Sequence, residues 1–179
     1  MLDIKTVINI FVFMFILFLF LAIQSSVFSV FLPRYISPDL ISCVLVYVGI
    51  KRELKEGVAF TIFCSYLVSL NSGMEFFPCL ITYLICFNLA RYIGFNIFTG
   101  TARSVFLGTV FCIGVPKLIF VLWLNWADSY VLLRAVPSTL SVVLSTSVFS
   151  LLLFRLFSFI DMRTERIEPV YIAERHRRF

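Results

Sequence analysis

Apolar residues run along this chain in six long stretches separated by short polar breaks. The first, residues 7–32, is 26 positions without a charge. A helix that crosses a bilayer needs about 20 predominantly apolar residues. This run therefore reads as a spanning helix rather than a signal peptide, whose apolar region is shorter. The later runs predict helices at about 38–50, 57–70, 73–93, 103–124 and 129–160. The expected fold is all-α: one transmembrane bundle of six helices over residues 1–160, then a charged tail over 161–179. The second and third helices are short, because Lys51-Arg52-Glu53 interrupts them. They form either two crossings of a thinned or tilted region, or a re-entrant pair that leaves four full spans. Two crossings fit the charge pattern below. The connections are short, so consecutive helices should be antiparallel neighbours.

Helix starts carry local signals. Ser37-Pro38-Asp39 offers a capping hydroxyl, a proline in the first turn and an acid beside the helix dipole. Ser72-Gly73-Met74-Glu75 has the form of a capping box, in which hydroxyl and carboxylate each satisfy a backbone N–H. Asp128 is placed to cap the last helix, and Gly100-Thr101 separates the fourth and fifth.

Composition sharpens the membrane reading. Hydrophobic types make up 61% of the 179 residues and charged types 14%, against about 25% charged in soluble domains. Mean hydropathy is +1.02. The net charge of +5 lies in short loops and the tail, which argues for membrane orientation and against a nucleic-acid partner. With the N-terminus inside, the cytoplasmic side receives Lys5, Lys51, Arg52, Lys55, Arg91, Arg103 and the five tail arginines. The outside receives Arg34. Both termini are then expected in the cytoplasm. Trp123, Trp126 and Tyr130 would form an outer aromatic belt, and Asp39, Glu75 and Asp128 would sit at the outward starts of helices. The tail sets five arginines and His176 against four acids. It is either a retention signal or a docking segment for a cytoplasmic partner or anionic lipid.

Candidate chemistry is sparse. His176 is the sole histidine, which removes an intramembrane Ser–His pair and an H-E-x-x-H zinc site. No carboxylate falls in the middle of an expected helix, and no phosphate-binding loop is present. The five cysteines lie in apolar runs without C-x-x-C spacing, and read as small buried residues. No enzyme activity, cofactor or metal is expected. Lys117, after Pro116, and Arg134 fall at similar depth in the outer half of the bundle. Either they face an outward polar cavity with Asp39, Glu75 or Asp128 as counter-ions, or they snorkel along the helix surface. Gln24-Ser25-Ser26 interrupts the first helix, and Ser138, Ser141, Ser145, Thr146 and Ser150 line the last. Such small polar residues allow close helix approach in lipid.

Pro38-Asp39-Leu40, the apolar stretch to Val46-Tyr47, the basic pair Lys51-Arg52 and Gly57 together resemble the rod shape-determining MreD family. Gln24-Ser25-Ser26 is similar to the end of that family's first helix, and Leu70-Asn71-Ser72-Gly73 to its Leu-Leu-Ser-Gly turn, followed by Tyr83 and Arg91. The likeness is best over roughly residues 20–95 and fades to hydropathy beyond. Ser69 stands where the family carries an acid. The resemblance implies a non-catalytic inner-membrane subunit of the cell-elongation machinery that scaffolds peptidoglycan synthesis. Implied partners are an MreC-like membrane protein, MreB-like filaments, RodA and a penicillin-binding transpeptidase. The implied fold is that of the substrate-binding components of energy-coupling vitamin transporters. A small-molecule-binding transporter component is thus the alternative function. Candidate contact or cavity residues are Gln24, Pro38, Asp39, Tyr47, Ser72, Gly73, Glu75, Lys117 and Arg134.

Overall fold

The computed structural model describes residues 4–27, 30, 37–96, 101–127 and 131–163. Among these, the chain is all helix, with no strand. Six helices follow in order: α1 (Ile4–Ala22), α2 (Leu40–Lys51), α3 (Leu54–Ser72), α4 (Phe76–Asn96), α5 (Ala102–Ala127) and α6 (Val131–Arg163). Four spans are long and apolar enough to cross a membrane: Ile8–Ser26, Phe76–Asn96, Ala102–Leu122 and Ala135–Arg163. They belong to α1, α4, α5 and α6. The third helix is longer than its apolar run suggested. It reaches back to Leu54 and on to Ser72, 19 residues in all, because Lys55 and Glu56 occupy its first turn without ending it.

The second helix is short for a different reason: it is the core. Every residue from Leu40 to Ile50 is buried, and α2 packs against each of the other five helices. A helix apolar on all sides belongs in an interior. Its 12 residues rise about 18 Å, well short of the roughly 30 Å of a hydrocarbon layer. Neighbouring helices, not lipid, surround it.

Close packing around α2 depends on glycine. A Cβ added at Gly49 would lie 2.7 Å from the Cβ of Ala90 and 3.0 Å from the Phe87 carbonyl, so α2 and α4 meet backbone to backbone. Gly57 of α3 leaves room for the ring of Phe87, which is fully buried. Aromatic packing closes the opposite side. The Tyr47 ring lies 5.1 Å from Phe157, 5.2 Å from Phe154 and 6.0 Å from Phe13, joining α1, α2 and α6. The outer faces stay apolar, with Phe11 71% and Phe77 72% exposed. A rim of exposed aromatic side chains suits a hydrocarbon surrounding better than water.

Several local expectations need correction. The cap of α2 is Asp39, whose side chain accepts from the Ser42 N–H, and not Ser37. A carboxylate reaches the orphan amide more directly than a hydroxyl two positions upstream. Ser72 and Glu75 do not form a capping box. Ser72 is the last residue of α3 and its hydroxyl bonds back to the Val68 carbonyl. Gly73 then ends α3 in the left-handed region at φ +67°, its N–H donating to the Ser69 carbonyl, and α4 begins only at Phe76. The four residues are a helix stop of the glycine type. Residue 161 is no part of a tail, because α6 continues to Arg163.

Candidate functional site

Two clusters of polar side chains lie inside the bundle, one at each end of α2. Helical geometry fixes their separation at about the 18 Å length of that helix.

The first surrounds Asp39. Its Oδ1 accepts the Ser42 N–H at 3.1 Å and its Oδ2 the Ser42 hydroxyl at 2.8 Å. Lys117 of α5 brings its Nζ to 2.9 Å from Oδ2. The Asp39 N–H donates to Thr146 Oγ1 of α6 at 2.9 Å, and the Cys43 thiol donates to the Thr146 carbonyl at 3.4 Å. One residue therefore ties three helices: its carboxylate caps α2 and neutralises the cation of α5, and its backbone N–H donates to the hydroxyl of α6. The Asp39 side chain is 11% exposed and that of Lys117 26%. Because α2 is short, this ion pair lies well below the ends of the long helices. Thr146 is near the middle of the 33-residue α6. The expected pairing of Lys117 with Asp39 is present. Glu75 is exposed at the α3–α4 connection and Lys117 does not pair with it.

The second cluster surrounds Asp161 near the end of α6. Arg52, just after α2, donates from NH2 to Oδ1 at 2.6 Å. The Tyr47 hydroxyl donates to Oδ2 at 2.5 Å, and Asn9 Nδ2 of α1 donates to Oδ1 at 3.0 Å. Arg52 is 5% exposed and its guanidinium lies 4.6 Å from the centre of the Phe13 ring. Arg91 of α4 in turn donates to the Arg52 carbonyl at 3.2 Å. Asp161 thus gathers α1, α2 and the α2–α3 turn onto α6, and Arg52 passes the link to α4. The sequence gives little notice of this junction. Asn9 reads as one polar break in an apolar run, and Asp161 as the first residue of a charged tail. The available signal was the register of α6: Phe154, Phe157 and Asp161 follow at helical spacing along the face that packs on α2.

The other sequence candidates divide. Pro38 is buried beside Asp39. Tyr47 belongs to the Asp161 cluster. Gln24 lies in a single π-helical turn, Ile23–Val27, at the end of α1. Ser25 donates to the Ala22 carbonyl there at 3.3 Å, so the interruption of the helix is a widened turn rather than a break. Gln24 Oε1 is buried without a hydrogen-bond partner among the described residues. Ser72, Gly73 and Glu75 are exposed and shape the α3–α4 turn. The side chains of Arg134, Trp123 and Trp126, and all of Asp128, Tyr130 and residues 164–179, lie outside the described residues.

Two cavities open toward the Asp161 end. One of about 380 Å³ lies between α1, α2 and α3, lined by Asn9, Phe13, Val48, Arg52, Lys55 and Phe60 among others. The other, about 760 Å³, lies between α5, α6 and the last residue of α2. The Asp39–Lys117 pair lines neither. All five cysteines are buried and free, and no group of metal-ligating side chains occurs among the described residues. Comparison with protein-family models, curated proteins and solved structures finds no match.

Proposed function

We propose that the chain is a non-catalytic scaffold of the bacterial cell-elongation machinery, of the MreD type. In this reading it crosses the inner membrane six times with both ends in the cytoplasm. The bundle is of the kind found in the substrate-binding components of energy-coupling transporters. It holds an MreC-like partner, and through it RodA, the penicillin-binding transpeptidase and MreB-like filaments, by helix contacts.

The observation that carries this reading is the use made of Asp39. The residue that anchors the Pro38-Asp39-Leu40 resemblance is engaged in locking α2 to α5 and α6. A carboxylate satisfied by its own bundle is suited to holding a shape. Orientation is supported by the placement of Lys51, Arg52, Lys55, Arg91 and Arg103 at one end of the helices, as expected of the cytoplasmic side. Six crossings are supported by the alternation of helix direction. Asp39 meets the middle of α6 and Arg52 its end, so α2 and α6 run parallel.

Affinity purification of the full chain from bacterial membranes tests the proposal. An MreC-like protein should co-purify with the native chain and with a Tyr66→Ala control on the exposed face of α3. It should be lost with Asp39→Ala if α5 and α6 present the contact surface. Absence of any elongation protein, together with thermal stabilisation of the purified chain by a vitamin, would overturn the scaffold in favour of a transporter component.

A further inference from the structure

The 760 Å³ cavity has a composition that its surroundings do not require. Lys51, the last residue of α2, and Arg155 of α6 bring two cations to it. Ser158, three residues after Arg155, lines it on the same helix face, with its hydroxyl bonded to Tyr47. Leu152, Phe154 and Met162 supply an apolar wall. Among the described residues, no acidic side chain lines it. The nearby carboxylate, Asp161, is engaged by Asn9, Tyr47 and Arg52. The volume falls within the range of about 300–1,000 Å³ usual for small-ligand sites.

Depth makes the arrangement specific. Arg155 is exposed and lies 8 residues before the end of α6, about 12 Å along its axis. A guanidinium there is surrounded by the outer ends of acyl chains unless it reaches toward the headgroup layer. Lys51 lies at the basic end of the bundle. The pair therefore straddles the boundary between headgroup and hydrocarbon, with cations placed for a phosphate and apolar surface placed for a chain.

We propose that this groove between α5 and α6 is a binding site for an anionic glycerophospholipid of the surrounding leaflet. The phosphate lies between Lys51 and Arg155, and one acyl chain runs along Leu152, Phe154 and Met162. Basic pockets between membrane helices recognise anionic lipids by this combination. The inference is independent of the scaffold reading.

Native mass spectrometry of the purified full chain in mild detergent, with added phosphatidylglycerol or phosphatidylcholine, provides the test. The native chain should retain phosphatidylglycerol in preference to phosphatidylcholine, a comparison that needs no variant. Arg155→Gln and Lys51→Gln should each weaken phosphatidylglycerol binding about fivefold, as expected for one cation near a charged headgroup. Arg155→Lys should keep most of it. Lys55→Gln, a cation at the same end of the bundle that lines the other cavity, should change nothing. Soluble glycerol 3-phosphate should not displace the lipid, since it lacks the chain. Equal retention of the two lipids would overturn the proposal, as would an equal loss with Lys55→Gln or displacement by glycerol 3-phosphate.

Discussion

A lysine at the centre of a bilayer costs roughly 2.5–3.5 kcal/mol on insertion scales, so Lys117 needs a reason to be there. Asp39 supplies it at 2.9 Å, and Ser42 and Thr146 satisfy the atoms around the carboxylate. Breaking such a pair from one side strands the other charge, which costs more than the pair itself contributes. Lys117→Met and Asp39→Asn should therefore each destabilise the chain, by about 3 kcal/mol for a well-buried pair and less where Lys117 meets water. The double variant should recover much of the loss. Cysteine reactivity during thermal unfolding reads this directly, because all five thiols are buried in the folded chain. Additive single effects would mean that the two groups are not coupled. Asp161 carries a heavier load, with Arg52, Tyr47 and Asn9 on one carboxylate. Asp161→Asn should cost about 2–3 kcal/mol, because it leaves the Arg52 charge uncompensated in a buried place. Tyr47→Phe removes one hydrogen bond and should cost less, about 1–2 kcal/mol. The same unfolding assay orders them, and a reversed order would show that the tyrosine, not the arginine, anchors α6.

At the scale of elements, α2 is held by shape as much as by charge. Lipid exerts no hydrophobic drive between helices, so van der Waals fit and small residues decide how closely they approach. Gly49 lets α2 lie against Ala90 and the α4 backbone. Gly49→Ala places a Cβ 2.7 Å from that of Ala90 and should destabilise by about 1–3 kcal/mol through overpacking. Gly73→Ala faces open space and should cost about 1 kcal/mol, from the left-handed backbone alone. Melting of the two variants side by side separates them. A Gly73 variant more damaging than the Gly49 variant would point to a contact at the α3–α4 turn. The hydroxyls of α3, α5 and α6 fit the same logic: Thr61, Ser65, Thr109, Ser147 and Ser150 are buried and bond to carbonyls of their own helices. They present small, internally satisfied surfaces to their neighbours.

For the whole molecule, the parallel course of α2 and α6 and the clustering of cations at one end define a polarity. Single cysteines introduced at Lys55 and Arg103, both exposed, should react with a membrane-impermeant maleimide only in inverted vesicles. One at Asn71, also exposed, should react in intact cells whose outer barrier is open. The native cysteines give a low background because they are buried. Labelling of Lys55 and Asn71 positions from the same side would remove the crossing proposed for α3 and make α2 and α3 a re-entrant pair.

Sequence alone determined the all-helical class, the approximate positions of the six helices and the apolar exterior, because long apolar runs with few charges have few other uses. It also marked Lys117, since an ionisable group inside such a run is costly wherever it lies, and Asp39, by its place at the start of a helix. The capping box at Ser72 was misread because a serine after a helix and a serine before one look alike until the backbone at Gly73 is known. Tertiary structure alone decided that the shortest helix is the central one, that Asp39 rather than Glu75 pairs with Lys117, and that Asp161 belongs to the core. Each of these is a contact between residues far apart in the chain. Hydropathy records how well a residue tolerates lipid, but not which neighbour replaces the lipid.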